Sequence, residues 1–231
     1  MRYLKTPAAD SIARVREVRR TVEAMLSEIE DRREDAVIEF AERFDGWEGE
    51  FVLSAPEKER LLAEVKPEVR EDIDFCHTQV TRFASAQKES VKEFEIEAEP
   101  GVRLGQRVIP VRSVGCYVPG GRFAHVSSAI MSVATARAAG VDHICAASPP
   151  RGKSINSNVA YAIDRSGADL ILQMGGVQAI ATMAYGLFGC PPSDMVVGPG
   201  NAYVNEAKRV LFGRVGIDVL AGPTESAVIA D

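Results

Sequence analysis

Residues 169–186 have the sequence DLILQMGGVQAIATMAYG, and this stretch contains the unit that decides the fold. Leu170–Met174 is a short apolar run, which predicts a buried strand. Gly175 and Gly176 follow as a turn, and Gln178–Tyr185 has the composition of a buried helix that ends at Gly186. A strand, a glycine turn and a helix in this order form one half of a βαβ unit.

The same unit recurs before and after this stretch. The other predicted strands are Val114–Val118, His143–Ala147, Met195–Val197 and Ile217–Leu220. The other predicted helices are Ser127–Ala139, Ile155–Arg165 and Ala202–Leu211. Strands that alternate with helices over short connections indicate a parallel sheet, and right-handed crossovers place the helices on its faces. The predicted fold class is therefore α/β, a Rossmann-like parallel sheet built from βα repeats.

The first part of the chain has a different pattern. Apolar periodicity and capping residues predict four helices, at about 12–29, 33–44, after Ser54 and from Pro67 to about Lys88. Strand-like segments at 91–98 and 102–111 flank Glu99-Pro100-Gly101 and predict a hairpin. We therefore expect a helical segment with a hairpin over 1–111, as part of a first, discontinuous domain. A Rossmann-like domain is expected over 112–222, and 223–231 begins a return into the first domain.

The last residues, 226–231, have the sequence SAVIAD, which predicts the start of another apolar strand. Because such a strand needs ladder partners and a covering helix, we expect the chain to be a piece of a longer protein.

Composition and charge narrow the class of function. The net charge is −6, with 25 acidic and 16 basic residues in the first 100 positions and 8 acidic and 11 basic residues after them. This balance argues against a nucleic-acid partner. We expect no membrane span, since no apolar run approaches 18 residues, and no secretory signal at the N-terminus. Four widely spaced cysteines predict free thiols in a cytoplasmic protein.

Glycine-rich loops follow the predicted strands, where parallel sheets bind ligands. They are 117–121, 175–178, 198–201 and 221–225. Glycine allows backbone amides to approach a ligand, and helix N-termini attract anions, so four loops on one edge favour a nucleotide-sized crevice. Tight βα turns alone also explain each loop. The usual dinucleotide fingerprint is absent, because position 203 is Tyr203 where Gly198-Pro199-Gly200 would need a third glycine, and there is no Walker loop.

Histidine is scarce in this sequence. His77 and His143 are interpreted as structural, whereas His125 lies in a glycine loop with Arg122, before a predicted helix start. An arginine and a histidine at a helix N-terminus can bind an anion, although two solvated loop side chains are the alternative. The three histidines do not have the spacing of a metal site.

Several motifs in order resemble the histidinol dehydrogenase family, over residues of about 100–231. They are Gly115-Cys116-Tyr117-Val118-Pro119-Gly120-Gly121, the run from Gly175 to Ala181, Val197-Gly198-Pro199-Gly200-Asn201-Ala202-Tyr203-Val204, Ala207-Lys208-Arg209, and Ala221-Gly222-Pro223-Thr224-Glu225.

The resemblance implies a homodimeric enzyme that uses zinc and NAD to oxidise an alcohol to an aldehyde and then to an acid. It implies NAD contacts at Tyr117, Gln178 and Asn201, and a substrate contact at Thr224, where relatives have serine. It places the zinc ligands and the Glu-His general base downstream of Asp231, so that no catalytic or metal residue is expected in this chain and the chain alone is expected to be inactive.

One departure from the family pattern concerns the substrate. Residues 122–126 are RFAHV, whereas relatives usually have small or neutral residues after the two glycines. A guanidinium repels cationic histidinol and attracts a sulfonate or carboxylate. With Arg122 and His125 as substrate contacts, the sequence resembles the sulfopropanediol 3-dehydrogenase branch, which oxidises 2,3-dihydroxypropane-1-sulfonate to sulfolactate. Histidinol, another polar alcohol, and a non-catalytic fragment or NAD-binding module remain alternatives.

Overall fold

A computed structural model describes residues 12–120 and 124–220 of the chain. Its helices are α1 (Ile12–Arg32), α2 (Glu34–Asp45), α3 (Ala55–Glu64), α4 (Pro67–Ser90), α5 (Val126–Ala139), α6 (Ser157–Arg165), α7 (Gly176–Tyr185) and α8 (Ala202–Leu211). Its strands are β1 (Phe94–Glu99), β2 (Val102–Gln106), β3 (Ser113–Tyr117), β4 (His143–Ser148), β5 (Leu170–Gln173), β6 (Met195–Val197) and β7 (Gly216–Ile217). The predicted strand at Ala227–Ala230 lies outside the described residues.

The sheet confirms the predicted α/β class. Five strands pair in the order β5-β4-β3-β6-β7, and the four pairs are parallel. The chain runs outward from β3 to β5 on one side and then returns to place β6 on the other side. The strand order therefore reverses between β3 and β6, which is where open α/β sheets bind ligands.

Local signals set the ends of the first helices as predicted. The Ser54 side chain accepts a hydrogen bond from the backbone N–H of Glu57 at the start of α3. Gly46 ends α2 in the left-handed conformation, with φ of 60°. The hairpin of β1 and β2 is antiparallel, as expected, although its strands are shorter than the predicted segments because pairing stops at Gln106.

The N-terminal helices cover the sheet as second layers on both faces. α1 packs on α7 and α8, while α4 packs on α5 and α6. One buried core joins α1 and α2 to α7, and a second joins α3 and α4 to α5 and α6. Neighbouring strand residues alternate between them: Cys116 belongs to the second core and Tyr117 to the first. Helices α1 to α4 therefore share their cores with the sheet.

The four cysteines are free, and Cys116, Cys145 and Cys190 are buried. In the ranges 12–120 and 124–220, no helix is long and apolar enough to cross a membrane.

Candidate functional site

A cavity of about 430 Å³ opens at the carboxyl edge of the sheet. One wall consists of the turns after four parallel strands, and the other consists of α1 and α2. The lining residues are Thr21, Met25, Phe44, Asp45, Tyr117, Gly120, Pro149, Gly175, Gly176, Val177, Gln178, Asn201 and Tyr203. The cavity thus contains all three residues that the sequence predicted as cofactor contacts: Tyr117, Gln178 and Asn201.

Tyr117 lies at the end of β3 and is 4% exposed. Its hydroxyl accepts a hydrogen bond of 3.2 Å from the backbone N–H of Gly176, the first residue of α7. Burial raises the pKa of Tyr117, so the phenol stays protonated at neutral pH. It therefore keeps a proton that it can donate to a ligand in the cavity.

Gln178 lies in the first turn of α7 and is 2% exposed. Its amide Nε2 donates a 2.8 Å hydrogen bond to Oδ2 of Asp45, at the end of α2. The backbone N–H of Gly175 also favours the ionised carboxylate, but burial has the larger effect and raises the pKa of Asp45. The hydrogen bond between Gln178 and Asp45 therefore links α2 to α7 at the cavity.

Asn201 precedes α8 and is exposed on the cavity side. Its side-chain oxygen accepts hydrogen bonds from the backbone N–H groups of Tyr203 and Val204, at 3.0 and 3.1 Å, so it caps the helix. The cap fixes the amide group at the entrance of α8, where its nitrogen is free to donate to a bound anion or hydroxyl.

Glycines bring the backbone close to the cavity. A Cβ on Gly175 would lie 2.7 Å from Cβ of Pro149, and one on Gly198 would overlap the carbonyl oxygen of Tyr117. Gly198 also has φ of 116°, a conformation that only glycine adopts readily. The turn after β5 therefore packs on the turn after β4, and the turn after β6 packs on the end of β3, in a way that side chains would prevent.

An ion pair that the sequence did not reveal holds the turn after β6. Lys208, on α8, is 1% exposed, and its Nζ donates to Asp218 Oδ1 and, at 2.9 Å, to the carbonyl of Gly198. Asp218 Oδ2 accepts a 2.8 Å hydrogen bond from the N–H of Gly198. The N–H and the carbonyl of Gly198 are thus both hydrogen-bonded to this ion pair. Lys208 lies within a quoted family motif, but nothing in the sequence distinguishes a buried lysine from an exposed one.

Of the three predicted substrate residues, His125 is the one that the structure describes. His125 is exposed and precedes α5, and it is not among the residues that line the cavity. Arg122 and Thr224 lie outside the described residues.

Zinc does not fit the described part of the chain. Across residues 12–120 and 124–220, no three His, Cys, Asp or Glu side chains form a group that could hold a metal ion.

Comparisons with known proteins agree with the geometry. The model of the histidinol dehydrogenase family matches residues 9–231. The chain is 48% identical over 230 residues to sulfopropanediol 3-dehydrogenase of Ruegeria pomeroyi, covering 99% of this chain and 53% of that protein. It is 40% identical over 220 residues to histidinol dehydrogenase of Geobacter sulfurreducens, covering 94% and 51%.

A solved structure has the same architecture. The crystal structure of histidinol dehydrogenase from Elizabethkingia anophelis superposes with a TM-score of 0.84 at 27% identity, covering 95% of this chain and 50% of that one. The chain therefore spans about half the length of the relatives it matches. With the family model matched over nearly all of its residues, the chain belongs to the histidinol dehydrogenase family.

Proposed function

We propose that the protein is an NAD-dependent dehydrogenase that oxidises a small polar alcohol to the acid through the aldehyde, and that this chain carries its NAD site. The observation that carries the proposal is the cavity at the switch in strand order, which brings Tyr117, Gln178 and Asn201 to one place. These residues come from the ends of three separate strands and the helices that follow them, and the family resemblance implies the same three as cofactor contacts.

The chemistry of the cavity suits a dinucleotide. Tyr117 and Asn201 offer neutral donors, and glycine turns let a phosphate approach the backbone. When bound, NAD would supply the hydride acceptor for both oxidations, of the alcohol to the aldehyde and of the hydrated aldehyde to the acid, and Tyr117, Gln178 and Asn201 would hold it. The described residues bind and orient the cofactor for these two oxidations.

We propose that the zinc ligands and the general base come from parts of the protein other than the described residues, which offer no donor set. The chain by itself then binds NAD without oxidising an alcohol. A non-catalytic NAD-binding module is the alternative of another class. The family resemblance further supports a homodimer, and four free thiols support a cytoplasmic protein.

For the substrate, we propose the anionic 2,3-dihydroxypropane-1-sulfonate, which would give sulfolactate. Two observations favour it over histidinol. Identity is higher to the sulfopropanediol 3-dehydrogenase than to the Geobacter histidinol dehydrogenase, and Arg122 follows the cavity-lining Gly120 by two positions, with His125 close behind. Thr224 keeps the hydroxyl expected to contact the substrate.

The substrate proposal is tested by Arg122→Ala in the full-length protein with zinc. Loss of a charge-assisted hydrogen bond costs about 1.5–3 kcal/mol, so kcat/KM for the sulfonate should fall about tenfold to more than a hundredfold. Activity on a neutral diol should change little. NADH formation at 340 nm measures each rate, and Arg107→Ala, at an exposed arginine away from the cavity, is the matched control.

Two outcomes would contradict this assignment. Histidinol could be the better substrate of the wild-type protein by kcat/KM. Alternatively, Arg122→Ala could lower kcat/KM equally for the sulfonate and for histidinol. In either case Arg122 does not bind the anionic end of the substrate.

A further inference from the structure

Asp45 is an acidic residue in the candidate cofactor cavity that neither the motifs nor the resemblance assigned. It ends α2, precedes the left-handed Gly46, and is exposed to the cavity. Gln178 holds its carboxylate in place, and the backbone N–H of Gly175 favours its ionised form. An acid that is fixed in orientation and accessible in a ligand cavity is placed to accept hydrogen bonds from the ligand.

The position of Asp45 decides where the negative charge of a dinucleotide can lie. At the N-terminus of α7, the Gly176 amide donates to the Tyr117 hydroxyl, and the Gly175 amide favours the ionised carboxylate of Asp45. One amide at the positive end of this helix is therefore already paired within the protein, and Asp45 would repel a phosphate there. The N-terminus of α8 lies on the same cavity. Asn201 caps two of its amides, but the Nδ2 of Asn201 can still donate, and among the described residues no acid other than Asp45 lines the cavity. This end is therefore the more favourable place for the pyrophosphate.

With the pyrophosphate at α8, the group beside Asp45 must be an uncharged donor. A ribose presents two hydroxyls on adjacent carbons, and one carboxylate accepts hydrogen bonds from such a diol. We propose that Asp45 binds the adenosine ribose hydroxyls and makes the protein select NAD over NADP. This role of Asp45 rests on the proposed NAD site. Gln178 is then a positioning residue that holds this carboxylate.

The charge of the cavity supports selection against NADP. NADP carries a phosphate on the same ribose, and this group would face the carboxylate of Asp45. Within residues 12–120 and 124–220, neither lysine nor arginine lines the cavity. Nothing in this part of the chain therefore offsets the repulsion.

The experiment titrates the full-length protein with NADH and NADPH and follows the fluorescence of the bound nicotinamide. The wild-type protein should bind NADH at least tenfold more tightly than NADPH. Asp45→Asn should weaken the binding of NADH by about threefold to tenfold, whereas NADPH should bind as tightly as to the wild-type protein or more tightly. Glu42→Gln removes an exposed acid from the same helix that does not line the cavity, and should keep the wild-type ratio.

Two further measurements keep the test independent of how the variant folds. The amide oxygen of an asparagine can still accept the hydrogen bond from Gln178, so Asp45→Asn should not lower the Tm at pH 7. The wild-type protein should also bind NADH that lacks the adenosine 2′-hydroxyl at least fivefold more weakly than NADH.

The outcomes separate the two proposals. If Asp45→Asn keeps the wild-type preference, or the wild-type protein binds the deoxy analogue as tightly as NADH, the role of Asp45 is overturned and the NAD site stands. If the wild-type protein binds neither dinucleotide, the proposed function fails and the role of Asp45 fails with it.

Discussion

At the scale of residues, each of the three cofactor candidates also holds a part of the fold. Tyr117 accepts from the first amide of α7, Gln178 holds Asp45, and Asn201 caps α8. The family resemblance implied these three residues as cofactor contacts, and the structure brings them to one cavity. The sequence did not identify Asp45 as a site residue, because Asp45-Gly46 has the pattern of a helix end. Only the packing of the structure shows that this end faces Gln178, 133 positions away in the sequence.

Asn201→Ala separates a structural role from a cofactor role when it is compared with a second cap. Asn156 caps α6 through the same two kinds of hydrogen bond, from Asn158 and Val159, and does not line the cavity. Each alanine variant should lose about 1 kcal/mol of unfolding free energy, since each removes a capping side chain.

Only Asn201→Ala should also raise the KM for NAD, by roughly threefold to tenfold, because only Asn201 is proposed to contact the cofactor. Urea denaturation and steady-state kinetics in the full-length protein measure the two effects. Equal effects of both variants on the KM would remove Asn201 from the site.

At the scale of elements, the ion pair of Lys208 and Asp218 holds the turn after β6 through hydrogen bonds to Gly198. The two partners are unequal, since the side chain of Lys208 is 1% exposed and that of Asp218 is 31% exposed. The sequence predicted α8 within its observed bounds and placed a strand near β7, because periodicity and glycine punctuation determine them. It could not predict the pair, because burial of a lysine depends on how α8 lies against the sheet.

The inequality of this pair predicts an order of stability. Asp218→Asn leaves a buried ammonium without a counter-charge and should cost about 3–5 kcal/mol of unfolding free energy. Lys208→Met should cost less, because the remaining carboxylate is partly solvated. Arg103→Met, which breaks an exposed pair with Glu95, should cost about 0–1 kcal/mol. Urea denaturation gives the three free energies of unfolding. A larger loss for Lys208→Met than for Asp218→Asn would contradict this account of the ion pair.

At the scale of the whole molecule, the N-terminal helices belong to the same cores as the sheet and form one wall of its cavity. Alternating strands and helices predicted the parallel sheet and the edge where the glycine loops meet. They did not predict that α1 and α2 would cover the α7 face, since the apolar sides of two amphipathic helices fit several partners. The wall that contains Thr21, Phe44 and Asp45 therefore comes from tertiary packing.

The central claim is that the cavity of Tyr117, Gln178 and Asn201 holds NAD, and a crystal structure of the full-length protein with NAD tests it most directly. The predicted result is a dinucleotide across the carboxyl ends of β3, β5 and β6. Its pyrophosphate should lie beside Asn201, and a ribose should lie within hydrogen-bond distance of Asp45. Clear density for NAD elsewhere would contradict the account, for example in the separate cavity of about 650 Å³ lined by Trp47, Arg60 and Lys153.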